Sequence, residues 1–115
     1  MGFKSIMDKQ YFVIFCTCPD LATAERIAKA IVEEKLAACV NILPGITSVY
    51  RWQDQTQQDS ELLLLIKTRQ HAYSALEKRI QQLHPYEIAE IIALPLVAGS
   101  SNYLAWLNAN IGEFS

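Results

Sequence analysis

The chain has 115 residues, 51% of them hydrophobic and 19% charged, which predicts one domain with enough apolar material for a packed core. Its 10 Lys and Arg stand against 12 Asp and Glu, so there is no basic field for a polyanion, and nucleic acid is not an expected partner. No segment approaches membrane-spanning length, Lys4, Asp8 and Lys9 break up the start where a signal peptide would be apolar, and Cys16, Cys18 and Cys39 form an odd set that reads as free thiols; a cytoplasmic protein is expected.

Residues 1–10 read as a flexible lead-in to a single domain over 11–112. Tyr11 to Cys18 is almost continuously apolar, as in a central strand buried on both faces. Pro19-Asp20 stops it, and Asp20 is placed to cap an amphipathic helix over Leu21 to Lys35, with Ala24, Ile27, Ala28 and Ile31 on one face. Ala37 to Trp52 then reads as one long extended run. Only Pro44-Gly45 interrupts it, a pair that predicts a bulge because proline lacks a ladder donor and glycine accepts unusual dihedrals. At a rise of ~3.3 Å per residue this run reaches ~50 Å. A compact chain of this size has a radius of gyration of ~13 Å and a diameter of roughly 34 Å. The strand should therefore overshoot its own globule and expose backbone for another chain to meet.

Gln53 to Ser60 is predicted as a polar turn, followed by a third strand from Glu61 to Thr68 that completes a hairpin. Tyr73, Leu76, Ile80 and Leu83 mark a second helix over His71 to Leu83, ended by Pro85. A fourth strand is expected over Ile88 to Val97, at an edge because it contains Pro95. Asn102 can cap a last short helix carrying Leu104, Leu107 and Ile111 and closed by Gly112.

The order βαββαβ plus a terminal helix predicts an α+β, ferredoxin-like sandwich. Right-handed crossovers give an antiparallel sheet in spatial order 4-1-3-2, with both long helices on one face. The other face and the edges formed by strands two and four are left uncovered. A closed cyclic assembly is the simplest cover, and geometry alone leaves two, three or four copies open.

Topology also places the polar and sulfur residues. Cys16, Cys18, the hairpin tip and His84 fall at one end of the sheet, and Cys39, Lys67 and His71 at the other. Cys16 and Cys18 are two apart in a strand and face the same way. With His84, whose position before Pro85 predicts an exposed ring, they form a soft donor set suited to Cu(I), Cu(II) or Zn(II). The alternative is that the cysteines are small core residues and that His84 caps a helix. Lys67 and Glu90 interrupt apolar strands and are expected to meet partners across an interface, or else to sit at solvated strand ends. Tyr50, Trp52 and Tyr86 are candidates for a cleft near the hairpin, or for aromatic packing. No nucleophile elbow, glycine-rich phosphate loop or His-Glu-x-x-His is present, and no enzymatic activity is expected.

Phe-Cys-Thr-Cys-Pro-Asp (15–20), the run from Glu34 to Trp52, Leu-Ile-Lys-Thr (65–68), His-Pro-Tyr-Glu (84–87) and Asn-Tyr-Leu-Ala-Trp-Leu (102–107) resemble the CutA family of divalent-ion tolerance proteins. The resemblance covers about Tyr11 to Ile111. It implies a homotrimer shaped like the PII signalling proteins, a role in tolerance to copper and other divalent ions, and copper binding. The family's copper site falls on Cys16, position 83 and His84. Position 83 is Leu83 here, where the copper-binding pattern has a second histidine, and Cys18 is the available replacement ligand. The family's cleft falls on Cys39, Trp52, Lys67, Tyr86 and Glu90. The first expectation is thus a copper-binding trimer involved in metal tolerance. The second is a PII-like signalling or scaffold trimer that takes a small molecule or a partner protein in its intersubunit clefts.

Overall fold

A computed structural model describes residues 10–114; the lead-in expected over 1–10 lies outside the described residues up to position 9. The elements are β1 (Tyr11–Cys18), α1 (Leu21–Glu33), β2 (Cys39–Trp52), β3 (Gln55–Arg69), a 3-10 turn (Gln70–Ala72), α2 (Tyr73–Leu83), β4 (Ile91–Pro95) and α3 (Ser101–Ala109). All strand pairs are antiparallel and the order is β2-β3-β1-β4, the 4-1-3-2 arrangement expected of a ferredoxin-like sheet.

Each helix ends for a local reason. The Asp20 side chain accepts from the Thr23 N–H at 2.8 Å and starts α1. Lys35, at φ 60, is left-handed and stops α1 at Glu33, two residues before the predicted end. Ser100, not Asn102, caps α3: its Oγ accepts from the Tyr103 N–H at 3.3 Å.

One sheet face is closed by α1 and α2. Ile14, Cys16 and Cys18 of β1 and Leu62, Leu64 and Ile66 of β3 pack against Ile27, Ile31, Leu76 and Ile80, nearly all with no solvent exposure. The opposite face stays open. Cross-strand register places Val13, Phe15, Leu63, Leu65, Leu43, Ile92 and Leu94 on it, and none of them is buried. α3 lies at the far end, where Leu107 and Ile111 pack with Ala38 and Ala72.

The hairpin differs most from expectation. The polar run 55–60 is strand, and the turn is only Gln53-Asp54, at φ 51 and 63 between the paired Trp52 and Gln55. A ribbon wet on both faces carries no hydrophobic alternation to reveal it, and pairing with β2 makes it a strand. β1 stops at Cys18, opposite Leu62, so β2 and β3 continue alone as a projecting arm. The predicted bulge is present: register shifts between Leu43 and Ile46, with Gly45 at φ 79. β4 is also shorter than predicted, because its pairing with β1 ends at Cys16 opposite Ile91; Pro95, opposite Phe12, lies on an edge as expected.

Candidate metal centre and adjoining cavity

Cys16 and Cys18 point from β1 into the layer beneath the helices, and His84 follows the last turn of α2. Ligand atoms of these three residues lie within 4.8 Å of one another, the one such group of His, Cys, Asp and Glu among the described residues. Contrary to the exposed ring predicted from the His-Pro sequence, His84 is only 7% exposed. The cause is β4's late start. Beyond Cys16 no strand pairs on that side of β1, and the Thr17 carbonyl accepts instead from His84 Nε2 at 2.7 Å. A carbonyl only accepts, so Nε2 carries the ring proton and Nδ1 holds the lone pair, which accepts from the Tyr86 N–H at 3.2 Å.

The two thiols share one favourable place for negative charge. Hydrogen bonding to Cys18, reinforced by burial, pushes Cys16 far up from the usual thiol range, and the same bond holds Cys18 below it.

The donors fit a soft cation. Ligands at ~2.0–2.3 Å from an ion stand roughly 3.5–4 Å apart, so the set needs to close by about 1 Å. A histidine that ligates through one nitrogen and donates its other N–H to a backbone carbonyl is the usual orienting arrangement, and Thr17 supplies that carbonyl. Leu83, where the copper-binding pattern has histidine, packs against the apolar core.

A cavity of about 480 Å³ opens beside this centre, on the other face of the sheet. Thr17 and Glu61 form its floor, Tyr50, Arg51 and Trp52 come from the arm, and Tyr86, Glu87, Ile88 and Glu90 close it where β4 has not yet begun. Glu61 is 7% exposed and accepts from the Tyr86 hydroxyl at 2.7 Å. Burial and that carboxylate push the Tyr86 phenol well above its usual range. Tyr50 donates to Asp59, whose carboxylate raises the Tyr50 phenol in turn. The rings of His84 and Tyr86 are 4.7 Å apart, so the two sites share a wall.

Of the five cleft residues indicated by resemblance, Trp52, Tyr86 and Glu90 meet in this cavity. Cys39 and Lys67 do not join them within one chain. They pair with each other in register at the opposite end, ~20 Å along β3 from Glu61. Lys67 there donates to Asn41, and Cys39 neighbours Tyr103. Sequence reasoning missed Thr17 and Glu61 as site residues. Glu61 left one signal, a carboxylate at the boundary between a polar run and an apolar one.

A family profile described as CutA1 divalent ion tolerance protein matches residues 12–110. A divalent-cation tolerance protein CutA of Thermus thermophilus is 54% identical over 100 residues, covering 87% of this chain and 97% of that protein. The solved structure of a divalent cation tolerance protein from Thermus thermophilus superposes with a TM-score of 0.87 at 53% identity, covering 89% of this chain and 99% of that one. The structure of a periplasmic divalent cation tolerance protein CutA from Archaeoglobus fulgidus gives 0.86 at 34% identity, covering 89% and 99%.

Proposed function

Since this chain belongs to the CutA1 divalent ion tolerance family, we propose that it serves that tolerance by binding a soft cation, copper foremost, at Cys16, Cys18 and His84, as a homotrimer. The observation that carries the reading is the convergence of two buried thiols and an oriented imidazole within 4.8 Å. Sulfur and imidazole favour copper or zinc over calcium or magnesium. Cys18 stands in for the ligand that Leu83 does not supply. When bound, the ion would replace the thiol protons of Cys16 and Cys18, while the Thr17 carbonyl orients the imidazole.

The protein is proposed to act by binding and not as an enzyme. His84 commits its proton to Thr17 and its lone pair to the Tyr86 N–H, which leaves no base free to activate a thiol. Three free thiols suit a reducing cytoplasm, our proposed location; because the Archaeoglobus relative is described as periplasmic, cell fractionation decides the matter.

Competition titration with a chromogenic Cu(I) chelator tests the site. The wild type should take one copper per chain, and Cys16→Ala and Cys18→Ala should each weaken binding at least roughly tenfold, the lower end of what loss of a metal-site group costs. Unchanged affinity in Cys16→Ala removes the site. Unchanged affinity in Cys18→Ala alone removes the substitution of sulfur for the missing histidine.

A further inference from the structure

Tyr86 joins the thiol and imidazole centre to the β2–β3 arm by one hydrogen bond at each of its ends. We propose that an ion held by Cys16, Cys18 and His84 loosens the root of that arm, so that metal occupancy is transmitted to the part of the chain that projects from its body. The inference rests on the metal reading and deepens it, by naming what binding changes elsewhere in the molecule.

The first link is at the ion. The Tyr86 N–H donates to His84 Nδ1 at 3.2 Å, and the two rings lie 4.7 Å apart. Ligation by either ring nitrogen ends that hydrogen bond: on Nδ1 the ion takes the lone pair, and on Nε2 it sends the ring proton to Nδ1. The donors must also draw together by about 1 Å to hold an ion, which turns the ring on which Tyr86 rests.

The second link is at the arm. The Tyr86 hydroxyl donates to Glu61 at 2.7 Å, and Glu61 is buried. Two pairings put Glu61 at the arm's root. Its neighbour Leu62 is the last β3 residue paired with β1, opposite Cys18. Glu61 itself pairs with Ile46, the first pair past the bulge. A buried carboxylate that loses its donor costs more than the bond itself was worth, so Glu61 follows Tyr86 or turns to water. Both movements act where the sheet narrows from three paired strands to two and its register shifts beside Gly45. Every link lies within one chain, so the path is complete whether or not neighbouring copies cover the arm. The coupling is reciprocal: holding the root firm weakens ion binding by the factor with which the ion loosens the root.

Hydrogen exchange of the isotope-labelled full chain, followed by NMR with and without saturating Cu(I), tests the coupling, and a chromogenic chelator verifies occupancy in the same sample. Amides of 46–49 and 58–61, the first four pairs of the arm, should exchange about fivefold faster or more with copper, as for loss of one hydrogen bond. Those of 39–41 and 65–67, on the other side of the bulge, should keep their rates. Tyr86→Phe removes the hydroxyl while keeping the ring and the N–H, at a position 38% exposed. At saturating copper its arm amides should exchange as they do without copper. Copper that binds while the parent's arm amides keep their metal-free rates overturns the coupling and leaves the metal reading standing. A Tyr86→Phe arm that quickens like the parent's overturns it as well. No copper uptake removes the metal reading, and the coupling with it.

Discussion

His84 shows how much a single ring decides. Its Nε2 donates to Thr17 on β1 and its Nδ1 accepts from the Tyr86 N–H, so both nitrogens are committed. An ion on Nδ1 takes the lone pair that Tyr86 uses. An ion on Nε2 forces the proton to Nδ1, which then opposes the Tyr86 N–H donor to donor. Either route breaks the Tyr86 contact, independent of tautomer. Adding Cu(I) should therefore move the Tyr86 amide resonance and speed its hydrogen exchange by about fivefold or more, as expected for loss of one hydrogen bond of ~1 kcal/mol or more. A Tyr86 amide that stays still while copper binds would remove His84 from the ligand set. The meeting of Cys16, Cys18 and His84 was legible from strand direction and helix length alone. The burial of His84 was not, since it follows from β4 starting at Ile91, which the apolar residues from Ile88 onward disguise.

At the scale of the element, the hairpin holds two opposite backbone choices. Gln53 and Asp54 both take positive φ at the tip, where asparagine and glycine are the favoured residues, while Gly45 uses its freedom at the bulge. The left-handed conformation costs a residue with a Cβ ~1 kcal/mol or more. Asp54→Gly should thus stabilise the fold by about 1 kcal/mol, less the entropy that glycine gains in the unfolded chain. Gly45→Ala should destabilise it by a similar ~1 kcal/mol, a purely conformational cost because the added methyl meets nothing within 4 Å. Urea denaturation of the two variants reads both, and like signs would contradict the assignment. Pro44-Gly45 announced its bulge in the sequence because both residue types punish a regular ladder. The strand over 55–60 announced nothing, because its partner and not its composition makes it extended.

The whole molecule is longer than its residue count predicts: its principal extents are 48, 29 and 25 Å and its radius of gyration is 15.1 Å, against ~13 Å for a compact chain of this size. The excess is the β2–β3 arm, which leaves β1 behind at Cys18, as the length of the second strand foretold. The same chain leaves Val49, Ile92 and Leu94 from 42% to 63% exposed, on the arm and along the open face. Contiguous apolar surface and an unpaired ribbon edge both favour association with further copies, and a closed ring leaves neither exposed. Under the proposed homotrimer, light scattering at micromolar concentration should give three times the chain mass. Leu65→Glu places a carboxylate in the centre of the open face without entering the helix-covered core, and should return the mass toward that of one chain while circular dichroism stays that of the wild type. A wild type that is folded and single at that concentration would leave the arm without a partner, and would confine the cavity and the thiol centre to what one chain builds alone.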